Sequence, residues 1–485
     1  MAGAGLNRAS VALAEPPARP QSAVLEFATF DHLQAVVLLL AVFLTCGISP
    51  MQGDTWWQLR AGQDMWVSGR VLLSDVYSHT ASGAFWSNHE WLAEVVFYAV
   101  YRAGGLPLLT LFTGALITAG WMFTWRLTRG ASSTAFLLAF LALTSSAGWW
   151  EPRPHAFSLL FVPCMVFLVH RGALQWLPPL FLFWANTHGG VLLGFVLLAA
   201  GLAGRTLIDR SQWRRSLVCL ALAAAAITLT PLGVNFWIEI PRSLSRISGY
   251  TLDEWSRTEL TDPTMLAFWG IASIYVWEVA RHIYRGKRVS ASDAAVHACA
   301  LTLLPFAIAA VRNVGPFLMI GVPALTYLWA EDGKTAKSSE YDSRRAGLTL
   351  AVMLLASAGV ATTLSVAYRQ QWPRLRWNPI PQAAIDALRD CPDNLYNRYD
   401  EGGMLLWFAP GRKVFLDGRQ DPFPRALVVE HIEMETGRRT YGPTFARHAI
   451  RCAFLPIVSP VAAQLSKDGW MTMHRDDQWV ILRAR

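Results

Sequence analysis

The chain has 485 residues, of which 53% are hydrophobic and only 16% charged, with a formal net charge of +8. Soluble globular domains carry about 25% charged residues, so the composition argues against an ordinary soluble enzyme. The positive charge does not mark a nucleic-acid binder either, because Lys and Arg fall in short clusters between long apolar runs, as in the loops of membrane proteins.

In chain order, residues 1–26 are rich in Ala and Pro, with Arg8 and Arg19, and read as a disordered cytoplasmic tail with no cleavable signal. Residues 27–367 then read as a transmembrane domain. Its candidate spans are 27–48, 106–125, 132–150, 156–169, 174–187, 189–207, 217–232, 265–280, 294–311, 316–330 and 347–367. A bilayer takes about 20 apolar residues to cross, which makes the fourth, fifth and seventh of these about eleven spans short. Several of the 22 Trp flank the runs, as interfacial belts require. Basic residues occupy alternate connections: Arg126 and Arg129; His170 and Arg171; Arg205, Arg210, Arg214 and Arg215; Arg281, Arg285, Lys287 and Arg288; Lys334, Lys337, Arg344 and Arg345. Placing them inside puts the N-terminus in the cytoplasm and turns 49–105, 151–155 and 233–264 outward. Residues 89–101, apolar but short and with Glu90 and Glu94 on one face, would invert every later loop if they crossed. They read as an interfacial helix on the outer surface.

Residues 368–485 read as a small extracytoplasmic α/β domain, in which strands alternate with helices. Helices are expected at 381–389, 403–408, 425–436 and 462–467, and strands at 394–396, 414–416, 453–456, 471–474 and 479–482. Cys391 and Cys452 lie in this outward domain, where a disulfide is chemically permitted; connectivity itself is not readable from sequence. Cys46, Cys164, Cys219 and Cys299 sit in apolar segments as small hydrophobes.

Candidate site residues cluster at the outer ends of spans. Asp54 follows the first span directly, ahead of Trp56, Trp57 and Arg60. From spacing alone, Asp54 caps an interfacial helix anchored by the Trp pair, or serves as a site carboxylate. Glu151, Arg153 and His155 lie within one short outward connection, as a Pro-started helix cap or as a binder of pyrophosphate or a divalent metal. His188 sits between two spans, where it bonds between helices or touches a lipid phosphate. Glu254 lies in the long outward loop, and Arg312 at the outer end of a span suits bidentate contact with a pyrophosphate or snorkels to the interface.

The segment Gly53-Asp54-Thr55-Trp56-Trp57-Gln58-Leu59-Arg60 resembles the first outer loop of the GT-C superfamily, integral membrane glycosyltransferases that use polyprenyl-linked sugar donors. In oligosaccharyltransferase catalytic subunits that loop carries an acid followed by aromatics and a Tyr-Arg pair; here Leu59 stands at the aromatic position and Thr55 at the usual Pro. Gly69 to Tyr77 is similar to the loop's continuation, and His89 to Gly105 to the juxtamembrane helix that closes it. Tyr399-Asp400 and Gly402 resemble part of the WWDYG region, without the two Trp that recognise an Asn-x-Ser/Thr acceptor. Glu151 and Arg153-Pro154 resemble the second outer connection of the superfamily, and Glu254 is placed like the Glu of its mobile outer loop.

The resemblance implies a GT-C-like, α-helical polytopic protein of the bacterial cytoplasmic membrane with an extracytoplasmic α/β domain. It implies sugar transfer from a polyprenyl-phosphate donor, with Asp54, Glu151 and Glu254 as the catalytic carboxylates. Arg60, Arg153, His155, His188, Arg312, Tyr399 and Asp400 would bind substrate, and a divalent cation, Mg or Mn, is the cofactor it allows. With one base and no covalent step, inversion is expected. The rival readings are a flippase or transporter of lipid-linked intermediates, against which no internal repeat is evident, and a non-catalytic GT-C-like scaffold.

Overall fold

A computed structural model describes residues 29–130, 132–247, 253–330, 343–392 and 394–485. The expected tail at 1–26 and the basic residues Lys334 and Lys337 lie outside the described residues. Helices account for most of the chain. In order they are α1 (Phe30–Gly47), α2 (Gly53–Ser68), α3 (Trp91–Leu127), α4 (Ser132–Ser146), α5 (His155–Arg171), α6 (Leu177–Thr187), α7 (Val191–Ile208), α8 (Trp213–Ile227), α9 (Phe236–Ile247), α10 (Leu266–Tyr284), α11 (Ala291–Ala309), α12 (Val314–Trp329) and α13 (Ser343–Arg369). Each expected span coincides with one of these helices. Among the described residues, six helical segments are long and apolar enough to cross a bilayer unaided, and this is an integral membrane protein.

The centre of the bundle is α12. Every residue from Val314 to Tyr327 is buried, as a helix that is apolar on all sides must be. Small residues let its neighbours approach. A Cβ added at Gly204 of α7 would lie 2.7 Å from the Ala294 carbonyl of α11, the close backbone contact by which helices associate in lipid. By contrast, α13 is mostly exposed and packs chiefly on α1 among the described residues.

The segment at 89–101 does become a helix, and α3 contains a sharp break. Gly104 has φ −156°, ψ 19° and Gly105 has φ 65°, ψ −161°, the latter a conformation open essentially to glycine. Pro107 follows and removes a further helix hydrogen bond. The break divides a short arm, packed along α2, from the long apolar remainder of α3.

Beyond α13 come α14 (Gln382–Leu388), β1 (Leu395–Asn397), α15 (Tyr399–Phe408), α16 (Arg425–Glu435), α17 (Gly442–Arg447), β2 (Cys452–Pro456), α18 (Pro460–Lys467), β3 (Met471–Arg475) and β4 (Trp479–Arg483). The sheet order is β1-β2-β4-β3, with β1 parallel to β2 and the other pairs antiparallel. Cys391 and Cys452 form a disulfide with Cα atoms 5.7 Å apart, tying the end of α14 to the start of β2. One expected strand fails. Residues 414–416 do not join the sheet; Val414 makes a single parallel bridge with Ser78 of the outer loop. Its amide donates to the Tyr77 carbonyl at 3.0 Å and its carbonyl accepts from His79 at 3.1 Å. Its backbone pairs with the outer loop, while Phe415 and Leu416 still pack against Tyr396 of β1 and the buried residues of β2 and β4.

Candidate functional site

The outer loop and the C-terminal elements are docked so closely that their facing positions require glycine. A Cβ on Gly403 would collide with the Gly53 carbonyl, and one on Gly53 with the Asp400 carbonyl. Trp56 of α2 meets Phe408 edge-on at 4.7 Å. Deeper in the same seam, the guanidinium of Arg419 bridges Asp75 of the loop at 2.6 Å and Asp417 at 2.8 Å, with all three side chains closed to solvent. Tyr77 and Trp86 lie against its face, 4.9 and 5.0 Å away. A fully desolvated charge is tolerated only with such pairing.

This docking fixes Asp54. Gln52 is the residue that precedes α2, and no side chain caps the helix, so the capping role expected of Asp54 is not the one it has. Its Oδ1 accepts from Trp57 Nε1 at 3.0 Å and its Oδ2 lies 2.9 Å from Arg153 Nη2. A Cβ at Gly418 would overlap the Asp54 carboxylate, so the C-terminal chain forms the wall behind it.

Three connections converge here. Thr55 Oγ1 donates to the Pro152 carbonyl at 2.8 Å, which holds the second outer connection against α2. Thr258 donates from its amide to Ile308 and from its hydroxyl to Ala307, which ties the 253–264 loop to the end of α11. Arg153 consequently reaches three carboxylates: Asp54, Glu151 at 3.2 Å and Glu254 at 3.2 Å. Arg312 holds the other oxygen of Glu254 at 3.1 Å and lies 4.5 Å above the Trp255 ring.

The electrostatics follow from this geometry. Burial pushes the Asp54 carboxyl up to about 6, against the pull of Arg153 and the Trp57 hydrogen bond. Burial also raises Glu254, but Arg153 and Arg312 outweigh it and hold that carboxyl at about 2. For Arg153 itself, burial disfavours the charge, yet Glu254, Asp54 and Glu151 more than offset this and keep the guanidinium well above its ordinary value.

Asp54, Glu151, Arg153, His155, His188, Glu254 and Arg312 all line one cavity of about 450 Å³, within the range of small-molecule sites. Its lower part is walled by Leu159 and Val162 of α5, Leu192, Leu193 and Val196 of α7, Phe306 of α11 and Pro316 of α12. An ionic upper end thus passes into an apolar floor among the helices.

His155 bonds the Trp149 carbonyl through Nε2. His188 pairs its Nδ1 with Ser158 Oγ at 2.6 Å, so it bridges helices as well as facing the cavity.

Three expected residues do not line the cavity. Arg60 lies six positions after Asp54, about 240° around a helix of 3.6 residues per turn, and pairs with Asp64 at 3.0 Å. Tyr399 lies behind the wall, donating to the Gly418 carbonyl at 3.1 Å. Asp400 turns away, its side chain 69% exposed, and only its backbone abuts α2. The residues not foreseen as a site are Gln58, Asn88, His89, Glu90 and Glu94, with Arg419 and Gln420 on the C-terminal side. Gln58 was detectable as the residue one helical turn beyond Asp54.

No protein-family model and no curated protein sequence matches the chain. Solved structures do. The oligosaccharyltransferase AglB from Archaeoglobus fulgidus, in complex with an inhibitory peptide and a dolichol-phosphate, superposes with a TM-score of 0.57 at 11% identity, covering 89% of this chain and 70% of that one. The same organism's oligosaccharyltransferase tethered to an acceptor peptide containing the NVT sequon gives 0.55 at 10%, again with 89% and 70% covered. ArnT from Cupriavidus metallidurans, in the apo state, gives 0.48 at 13%, with 93% and 97% covered. The chain thus shares its fold with the archaeal oligosaccharyltransferase.

Proposed function

We propose that this chain transfers a sugar from a polyprenyl-phosphate donor to an acceptor at the outer face of the bacterial cytoplasmic membrane, with inversion. The observation that carries the reading is the single cavity in which a carboxylate near neutrality, two arginines and an apolar floor meet.

The donor's lipid lies along the apolar floor and its phosphate at Arg153 and Arg312, whose guanidinium groups suit bidentate contact with phosphate oxygens. As the glycosidic carbon–oxygen bond breaks, negative charge grows on the phosphate, and pre-oriented cations stabilise it. Asp54 accepts the proton of the attacking acceptor hydroxyl or amine. Glu151 and Glu254 hold Arg153 and Arg312 in place and so act as positioning residues. With one carboxylate base and no covalent intermediate, the anomeric configuration inverts.

A divalent cation is the alternative source of positive charge, and the donor set does not fit one. Asp54, Glu151 and Glu254 each give an oxygen to Arg153, whose guanidinium occupies the point between them. Among the described residues, no group of three His, Cys, Asp or Glu is placed to hold a metal. We assign the cationic role to the two arginines.

The orientation proposed, with the N-terminus cytoplasmic and 368–485 outside, is supported by the Cys391–Cys452 disulfide, which persists in oxidising compartments. The test uses membranes charged with radiolabelled lipid-linked sugar. Wild-type protein moves label from lipid to acceptor, and Asp54→Ala slows this by about 10²–10⁴-fold, the contribution of a positioned base. Undiminished transfer by the variant overturns the reading. Movement of the lipid across the membrane with no glycosidic bond formed would favour a flippase.

A further inference from the structure

Opposite the arginines, the cavity has a second polar wall with a different character. It is built from Gln58 of α2, from Asn88, His89 and Glu90 ahead of α3, and from Glu94 in its first turn. Glu94 Oε2 accepts from Asn88 Nδ2 at 3.2 Å, and Glu90 Oε2 accepts from Gln58 Nε2 at 3.3 Å. Glu90 Oε1 faces the His89 and His188 rings, 3.7 Å from each. These bonds engage one donor of Gln58 and, with Met65 Sδ at 3.8 Å, both donors of Asn88, and leave Gln58 Oε1, Asn88 Oδ1 and Glu94 Oε1 buried with no hydrogen-bond partner. The three residues are 2%, 2% and 0% exposed.

Buried polar atoms are almost always paired, and an unpaired acceptor is costly because it has lost water and gained nothing. Three unpaired acceptors on one cavity wall therefore mark a place that a donor-rich group completes. Sugar hydroxyls are donors on adjacent carbons and can serve several such acceptors together. Burial pushes the Glu90 and Glu94 carboxyls up from their ordinary values, so this wall disfavours negative charge; a carboxylate-bearing sugar would bring one in and put no donor in its place. The cavity's arginines are already engaged by other carboxylates, Arg153 and Arg312 by Glu254 and Arg419 by Asp75 and Asp417.

We infer that the Gln58–Asn88–Glu90–Glu94 wall is the glycosyl subsite, taking an uncharged, hydroxyl-bearing sugar and rejecting a uronic acid. This rests on the proposed lipid-linked donor, and the experiment separates the two. Purified full-length protein in lipid nanodiscs is titrated with a short polyprenyl phosphate, with its hexosyl forms in gluco, galacto and manno configuration, and with the matching hexuronosyl forms.

The bare phosphate binds, and at least one hexosyl form binds tenfold or more tightly than its uronosyl partner. In Glu90→Gln and Glu94→Gln that preference falls below threefold, with affinity for the bare phosphate unchanged. Gln58→Met, which removes an acceptor without touching charge, weakens the hexosyl form alone. Bare phosphate bound normally with no hexosyl preference in the wild type overturns the subsite and leaves the donor reading standing. Failure of every polyprenyl phosphate to bind overturns both.

Discussion

Asp54 and Glu254 lie on the same guanidinium, yet their carboxyls are displaced in opposite directions, to about 6 and about 2. The difference is one of partners: Glu254 faces two arginines, and Asp54 shares one of them. A base must be deprotonated to act, and the raised Asp54 carboxyl loses its proton only as pH rises through about 6. Turnover should therefore climb across that value, with Glu254 already ionised and contributing no limb above pH 4. An acidic limb centred below pH 5 in a pH–kcat profile would remove Asp54 from the role of base. Arg153 carries the second residue-scale prediction. Lysine is a compact point charge that cannot span three carboxylates, so Arg153→Lys should lower kcat by about 10²-fold, the scale of losing one pre-oriented donor. EDTA should leave wild-type turnover unchanged, and restoration of an EDTA-treated enzyme by Mg or Mn would return the cationic role to a metal. Asp54 and Arg153 were legible in the sequence because a charge beside an apolar run is costly enough to imply a purpose. That Tyr399 and Asp400 lie off the cavity was not legible, since a turn motif gives no direction for its side chains. Arg419 was missed because its meaning lies in docking against Asp75, more than 300 residues away, and Asn88 because its bond to Glu94 depends on how the chain turns into α3.

The outer-loop helix α2 and the C-terminal chain form one unit at the level of elements. Glycines at 53, 403 and 418 bring backbone against backbone or carboxylate, and buried Arg419 pins the seam by pairing with Asp75 and Asp417. The catalytic geometry proposed for Asp54 is thus set by a chain segment that never touches the cavity's apolar floor. Gly418→Ala tests this. Its methyl would occupy the space of the Asp54 carboxylate and crowd Trp57 Nε1 at 3.0 Å. Overpacking of this kind costs about 1–3 kcal/mol, which should appear as a lower melting temperature. The sharper expectation is a fall in kcat of tenfold or more with the donor KM little changed, because the carboxylate moves while the arginines stay. Wild-type kcat in this variant would show that Asp54 does not depend on the seam. The spans were legible as apolar runs, whereas α9 and α17 were not expected and the seam was not legible, since glycine spacing in one segment says nothing about which backbone it will meet. The failed strand at 414–416 has the same cause: its partner is Ser78, not a neighbouring strand.

At the scale of the whole molecule, the site requires the outer loop, the second connection, the 253–264 loop and the C-terminal elements to lie on one side of the membrane. Alternating basic loops imply this arrangement, and the structure brings all four segments to one cavity. Redox chemistry gives an independent check, because Cys391 and Cys452 oxidise only if that side is outside the reducing cytoplasm. The bond closes a sequence separation of 61 residues, and in the chain-entropy account a loop of that length is stabilised by about 4 kcal/mol. Both cysteines are buried, so alkylation of protein denatured in acid directly from cells, before and after reduction, should show Cys391 and Cys452 reactive only after reduction, and Cys391→Ala with Cys452→Ala should melt at lower temperature than the wild type. In cells unable to form extracytoplasmic disulfides, both thiols should react at once. Free thiols in wild-type cells would place the C-terminal elements on the cytoplasmic side, carrying Asp54 and its arginines with them. Transfer to an acceptor on the outer face would then be impossible, so a thiol assay alone can overturn the proposed orientation without any knowledge of the sugar.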